Sequence, residues 1–235
     1  MLLLPPFIIL SVFPVLPLSA GDVGLARLEP KKDGYFGLNL DWANDSPKQV
    51  YRRMGFKPKV YVRFFEFPMS DDDFAILDES AKLVKPHRAL LLVTLEPWQG
   101  LSSVTQEECD RHTKQFKKVS SRAKIFVRFA HEMNGSWYPW SQQPTAYKEA
   151  FARFAESLHK NARNCAMIWA PNYGGGYPFS GGQYEVKPDS PDYTILDTNH
   201  DGVVNKLDDP YEPYYPGDEA VDWVGMTIYH WGSSY

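Results

Sequence analysis

Disulfide chemistry has little to work with: Cys109 and Cys165 are the only cysteines among 235 residues. The first falls early in a predicted helix and the second at the foot of a predicted strand, so in a βα-type barrel they lie at opposite ends and are expected to stay unpaired. A block of basic residues is also missing. The 25 Lys and Arg are mixed with 29 Asp and Glu, for a formal net charge of −4, which argues against nucleic acid as a partner. Apart from Leu2 to Leu18 no apolar run is long enough to span a bilayer. No internal repeat is present, and no glycine-rich phosphate loop of the dinucleotide kind. Gly174-Gly175-Gly176 follows a strand pattern without a helix signature and reads as a flexible loop.

Aromatic residues, in contrast, are abundant, at 15% of the chain with seven Trp and fourteen Tyr. Together with a hydrophobic content of 43%, this indicates a globular chain with one sizeable core and suits contact with sugar rings. Residues 1–20 read as a secretion signal, almost wholly apolar from Leu2 to Leu18 and ending in Leu18-Ser19-Ala20. Pro5, Pro6, Pro14 and Pro17 argue against a membrane helix there. The expectation is a secreted, extracellular protein cleaved near Ala20, with no membrane association after cleavage and a linker over 21–34. Asn44-Asp45-Ser46 is a glycosylation sequon in a surface loop; Asn134-Gly135-Ser136 is a second, inside the proposed site and expected to be unused.

Residues 125–140 organise the chain. Ile125 to Ala130 is apolar apart from Arg128; His131-Glu132, Asn134-Gly135 and the aromatics Trp137, Tyr138 and Trp140 follow. Side chains two apart share one face of a strand. Phe126, Arg128, Ala130 and Glu132 are therefore expected on one face, and Ile125, Val127 and Phe129 on the other with His131 above them. A buried Arg needs an acidic partner, and Glu132 supplies one. An Arg–Glu ion pair without chemistry is the plainer interpretation; the aromatic cluster favours a catalytic carboxylate at a strand tip.

Along the rest of the chain, strand patterns alternate with helix patterns. Strands are expected at 35–41, 60–66, 89–95, from 125, at 166–172 and at 220–231. Helices are expected after Ser46-Pro47 as far as Gly55, from Ser70 to about Lys85, from about Thr105 to Ser120 and from Pro144 to about Arg163. The strands are apolar throughout, as in a parallel sheet covered by helices. Asp41, Glu66, Glu96-Pro97-Trp98, His131-Glu132, and Trp169 with Asn172 stand at their C-terminal ends. That collection points to an α/β fold of the (β/α)8 TIM-barrel type, incomplete, with about six of the eight strands present, over 35–235.

Residues 173–218 break the rhythm. Within them, positions 197–208 carry Asp197, Asn199, Asp201 and Asp208 at loop positions 1, 3, 5 and 12, with Gly202 at 6 and the peptide carbonyl of Val203 at 7. This is the spacing of a calcium loop. Flanking helices are not expected, because Pro191 and Pro210 bracket it. Asp-Gly and Asn are also ordinary turn residues, so a solvated acidic loop is the competing reading. A structural calcium is expected, and no cofactor for catalysis.

These motifs together resemble glycoside hydrolase family 26, the retaining β-mannanases of the (β/α)8 type. His131-Glu132-Met133-Asn134-Gly135-Ser136-Trp137-Tyr138-Pro139-Trp140 carries the likeness, with Trp169-Ala170-Pro171-Asn172, Tyr215-Pro216-Gly217-Asp218 and Val221-Asp222-Trp223-Val224-Gly225. The resemblance implies an endo-β-1,4-mannanase with a mannan-type polysaccharide substrate. It makes Glu132 the general acid/base, places His131, Asn134 and Trp137 at the substrate, and gives Tyr229 a hydrogen bond to the nucleophile. Trp98 and Trp231 are added from the residues alone as sugar platforms, or equally as rim or core aromatics. A retaining mechanism needs a second carboxylate about 5–5.5 Å away, which the family carries on a seventh strand. The sequence supplies six, so it reads as truncated before the seventh, with little hydrolysis and poor folding expected. Related readings are a β-1,3-1,4-glucanase or a β-1,3-xylanase. A reading of a different kind is a non-catalytic, calcium-dependent carbohydrate-binding protein.

Overall fold

A computed structural model describes residues 26–229. The expected signal segment, the expected cleavage site and Trp231 lie outside the described residues. The strands are β1 (Gly37–Asn39), β2 (Val60–Glu66), β3 (Leu90–Glu96), β4 (Ile125–Phe129), β5 (Cys165–Trp169) and β6 (Trp223–Val224). They form one parallel sheet in the order β1-β2-β3-β4-β5-β6. Sequential order with helical crossovers gives a curled half-barrel, six strands of an incomplete (β/α)8 barrel.

The helices start and stop where local chemistry directs. In α1 (Pro47–Met54), Ser46 caps the first turn and Gly55, at φ +73°, ends it. In α2 (Asp71–Val84), Ser70 and Asp73 exchange hydrogen bonds as a capping box; Pro86 then lies in a single 3₁₀ turn, Lys85–His87. Thr105 caps α3 (Gln106–Val119). In α4 (Pro144–Asn161), Phe151, Phe154, Ala155 and Leu158 are buried, as their spacing requires. The glycines at 174–176, expected as a flexible loop, form a single 3₁₀ turn.

Two apolar layers result. Outward-facing Leu91, Val93, Leu95, Ile125, Val127, Phe129 and Met167 pack under the helices in the main core. Inward-facing Val60, Leu90, Phe126 and Ala166 form a smaller cluster with Tyr35, Leu92, Ile168 and Trp223 around it. This concave face encloses a groove of about 580 Å³. Cys109 and Cys165 are buried and unpaired.

Edge strands depart from expectation. β1 has three residues and β6 two, with one further bridge from Asn172 to Thr227. Each pairs with a single neighbour, and Val224, Met226, Ile228 and Tyr229 are exposed. A strand paired on one side has half the ladder hydrogen bonds of a central one, so regular pairing stops sooner at the rim. The long segment after β5 also contains α5 (Pro191–Leu196), with Pro191 in its first turn. Hence Pro191 opens a helix beside the acidic loop instead of excluding one.

Candidate active site

The site is built from the register of β2, β3 and β4. Val62, Leu92 and Phe126 form one inward layer; Phe64, Thr94 and Arg128 form the next; Glu66 and Glu96 lie above, at the mouth. Arg128 thus stands under the carboxylates. Its Nε donates to Thr94 Oγ1 at 3.0 Å, and its guanidinium lies 5.3 Å from the Phe64 ring centre. Burial lowers its affinity for a proton, and the charges of Glu132 and Glu96 oppose that effect.

β4 ends at Phe129, and the alternation ends with it. Ala130 at φ +44° and Glu132 at φ +57° are left-handed non-glycine residues on either side of His131. Such conformations cost about 1–3 kcal/mol each and persist where the surroundings enforce them. Here Ala130 N donates to Leu95 O and Glu132 N to Ala170 O, each at 2.9 Å, which ties the turn to both neighbouring strands. The sharp turn moves His131 away from the outer layer where alternation puts it. Its ring lies 6.2 Å from Phe64, an inward residue, and 5.3 Å from Tyr138. Burial, reinforced by Arg128, drives its pKa down to about 3, so His131 is a neutral imidazole at physiological pH.

Glu132 is 5% exposed, and Trp137 Nε1 donates to its Oε2 at 3.0 Å. Trp137 is 36% exposed and folds back over Gly135, where an added Cβ would come within 2.5 Å of the indole. Glycine is therefore what lets the ring reach the carboxylate. Trp98, from the tip of β3, is 45% exposed. Its Nε1 donates to Glu96 Oε2 at 3.3 Å, and its ring meets Tyr138 and Trp140 edge-on at 5.6 and 5.4 Å. Tyr229 is exposed and lies within electrostatic range of both Arg128 and Tyr138, which places it at the same mouth.

Asn134 sits differently from its expected substrate contact. Its side chain is fully buried, donating to Asn172 O at 2.9 Å and accepting from Asn172 N at 2.8 Å. It joins the β4 turn to the end of β5. Tyr138, absent from the expected set, belongs to the site. It stacks on Trp140 at 4.4 Å with a 12° interplanar angle, and burial, followed by the charges of Glu132 and Glu96, pushes its hydroxyl up to about 12. The recurrence of aromatics at 137, 138 and 140 was the available signal, but it did not say which ring approaches the acids.

In the 197–208 loop, Gly202 adopts φ +89°. Asp197 accepts from Asp201 N and Gly202 N, Asp201 from Val203 N, and Asp208 from Asn199 N and Asn205 N. Asn199 hydrogen-bonds Asp201, and Val203 O accepts from Asn205 Nδ2 at 2.7 Å. Among the described residues, no group of three or more His, Cys, Asp or Glu side chains is placed to hold a metal ion.

A parallel βα half-barrel that gathers carboxylates and indoles at the C-terminal strand ends belongs to the class of (β/α)8 glycoside-hydrolase folds. Comparison with solved structures gives the particular form: the chain has the fold of the family 26 endo-β-mannanases, present as six consecutive strands. The glycoside hydrolase family 26 β-mannanase of Bacteroides ovatus superposes with a TM-score of 0.56 and 16% identity, over 86% of this chain and 63% of that one. An endo-β-1,4-mannanase double mutant of Cellulomonas fimi superposes with a TM-score of 0.53 and 17% identity, over 83% of this chain and 48% of that one. In sequence, endoglucanase H of Acetivibrio thermocellus is 25% identical over 99% of this chain. The chain spans 23% of that relative's length and about half that of the Cellulomonas structure. No family model matches.

Proposed function

We propose that this chain is the acid-bearing part of a secreted endo-β-1,4-mannanase with a retaining mechanism, Glu132 acting as general acid/base. The observation that carries the reading is Glu132 itself: a buried carboxyl at the mouth end of β4, held by the Trp137 N–H, with Arg128 beneath and indoles at the rim. In such a reaction Glu132 gives its proton to the departing glycosidic oxygen as the C–O bond breaks and a second carboxylate attacks the anomeric carbon. Glu132 then takes a proton from the water that releases the sugar. Glu66 and Glu96 come from β2 and β3, whereas the resemblance assigns the nucleophile to a seventh strand. Among the described residues no carboxylate comes from a seventh strand, and residues 1–235 tested by themselves are expected to bind substrate without turning it over.

Calorimetry with β-1,4-mannotetraose on the 235-residue chain tests this, beside a reducing-sugar assay on mannan, lichenan and β-1,3-xylan. Binding that weakens about tenfold in Trp137→Ala, with no sugar released, is the expected result. Binding of neither mannotetraose nor cellotetraose, or release of sugar that persists in Glu132→Gln, would sink the proposal. A β-glucanase is the second reading, favoured by the likeness to an endoglucanase; tighter binding of cellotetraose would select it.

Calcium closure of the 197–208 loop is proposed on separate grounds. Asp197 and Asp208 are 7% and 4% exposed, and among the described residues neither has a cationic partner. Backbone N–H groups hold both carboxylates in a tight turn without a counter-charge, and carboxylate, amide and peptide oxygens are the donors a hard cation takes.

A further inference from the structure

We infer that Glu96 and Trp98 together form a second sugar subsite on the β3 side of the mouth, Glu96 accepting hydrogen bonds from the hydroxyls of a hexopyranose while Trp98 covers its C–H face. The inference rests on the glycanase reading above and extends it to residues outside the Glu132–Trp137 pair. Geometry carries it. Glu96 is directed inward by the alternation that puts Leu92 in the groove and Thr94 against Arg128. Its main chain is held at the strand tip, because its carbonyl accepts from both Phe67 N and Trp98 N, at 2.8 and 2.9 Å. One carboxylate oxygen accepts the indole N–H of Trp98; the other has no hydrogen-bond partner among the described residues.

Trp98 is fixed in turn. Two aromatic neighbours, Tyr138 and Trp140, meet it edge-on, and nearly half of it stays in solvent. A carboxylate with a free oxygen beside an upright, exposed indole fits a ligand with hydroxyls on its equator and C–H groups on its faces. The charged and titratable groups around Glu96 are Arg128, Glu66 and Glu132, with Tyr138 and Tyr229 at the same mouth. Burial makes this carboxyl harder to ionise, whereas Trp98 and Arg128 favour its charged form.

The test is calorimetry on the 235-residue chain with β-1,4-mannotetraose and cellotetraose, on the parent and on Glu96→Ala, Trp98→Ala and the double variant. Circular dichroism checks that each is folded. Each single variant should lose about tenfold or more in affinity, with the double variant close to the worse single one, because the residues act as a unit. The indole N–H resonance of Trp98, assigned by its absence in Trp98→Phe, should shift on adding tetraose to the parent. That readout keeps the test alive if Glu96→Ala fails to fold. A parent that binds tetraose while Glu96→Ala binds within twofold and the Trp98 resonance stays still overturns the subsite alone. A parent that binds neither sugar overturns the glycanase reading as well.

Discussion

Replacing Arg128 with Met removes the guanidinium beneath the carboxylates and keeps most of the side-chain volume. Breaking a buried pair by removing one partner costs about 3–5 kcal/mol, because the remaining charge is left in a poor dielectric. Arg128 is only partly buried and the mouth admits solvent, so screening brings the expected loss to about 2–3 kcal/mol at neutral pH. The loss should depend on pH in a defined direction. Glu96 already holds its proton more tightly in the folded chain than an ordinary carboxyl, chiefly through burial. The folded state therefore binds the proton to higher pH than the unfolded state does. Stability from this group falls as pH climbs from the usual carboxylate value through the raised one. Removing Arg128 takes away an interaction that favours the charged form, and so widens that window. Urea unfolding followed by Trp fluorescence, at about pH 4 and about pH 7, measures the effect. Arg128→Met should be closer to the parent at the lower pH, and Glu96→Gln in the same background should restore part of the stability at the higher. A loss under about 0.5 kcal/mol at neutral pH, or the same loss at both, would refute the electrostatic reasoning.

Further expectations follow from other contacts. Asn134→Ala leaves the partly buried N–H and carbonyl of Asn172 without these partners and should cost about 1–2 kcal/mol in the same unfolding assay; a near-neutral result would mean the clamp is dispensable. Gly135→Ala forces a Cβ into the Trp137 ring, and should lower mannotetraose affinity several-fold with little change in unfolding midpoint. Calcium in large excess should raise the thermal midpoint, on the order of 2–3 kcal/mol of stability at a hundredfold the dissociation constant. Asp201→Ala should abolish that rise; no rise in the parent would remove calcium from the account.

What was legible in the sequence followed the strength of the local signals. Helix starts at Ser46, Ser70 and Thr105 are capping chemistry and lie where their side chains bond. The parallel sheet followed from strands that are apolar on both faces, because helices cover one side and the barrel interior the other. Alternation correctly turned Arg128 toward the interior with Phe126. It failed for His131, since period-two reasoning holds only while the backbone is extended, and the left-handed Ala130 ends that at once. Asn134 was put at the substrate by the resemblance, and residue type by itself does not separate a loop contact from a buried clamp. Only tertiary packing, through Asn172, distinguishes them. The partnership of Glu96 with Trp98 was out of reach for a related reason: Glu-Pro-Trp announces a strand tip but not the direction of its indole.

The most direct measurement is a nitrogen–proton correlation spectrum of the 235-residue chain during titration with β-1,4-mannotetraose, read at the indole N–H of Trp137, which reports on the hydrogen bond to Glu132. Saturable movement of that resonance, in the parent and again in Glu132→Gln, is what a sugar-binding acid/base centre predicts. A resonance indifferent to mannotetraose and cellotetraose alike would contradict it.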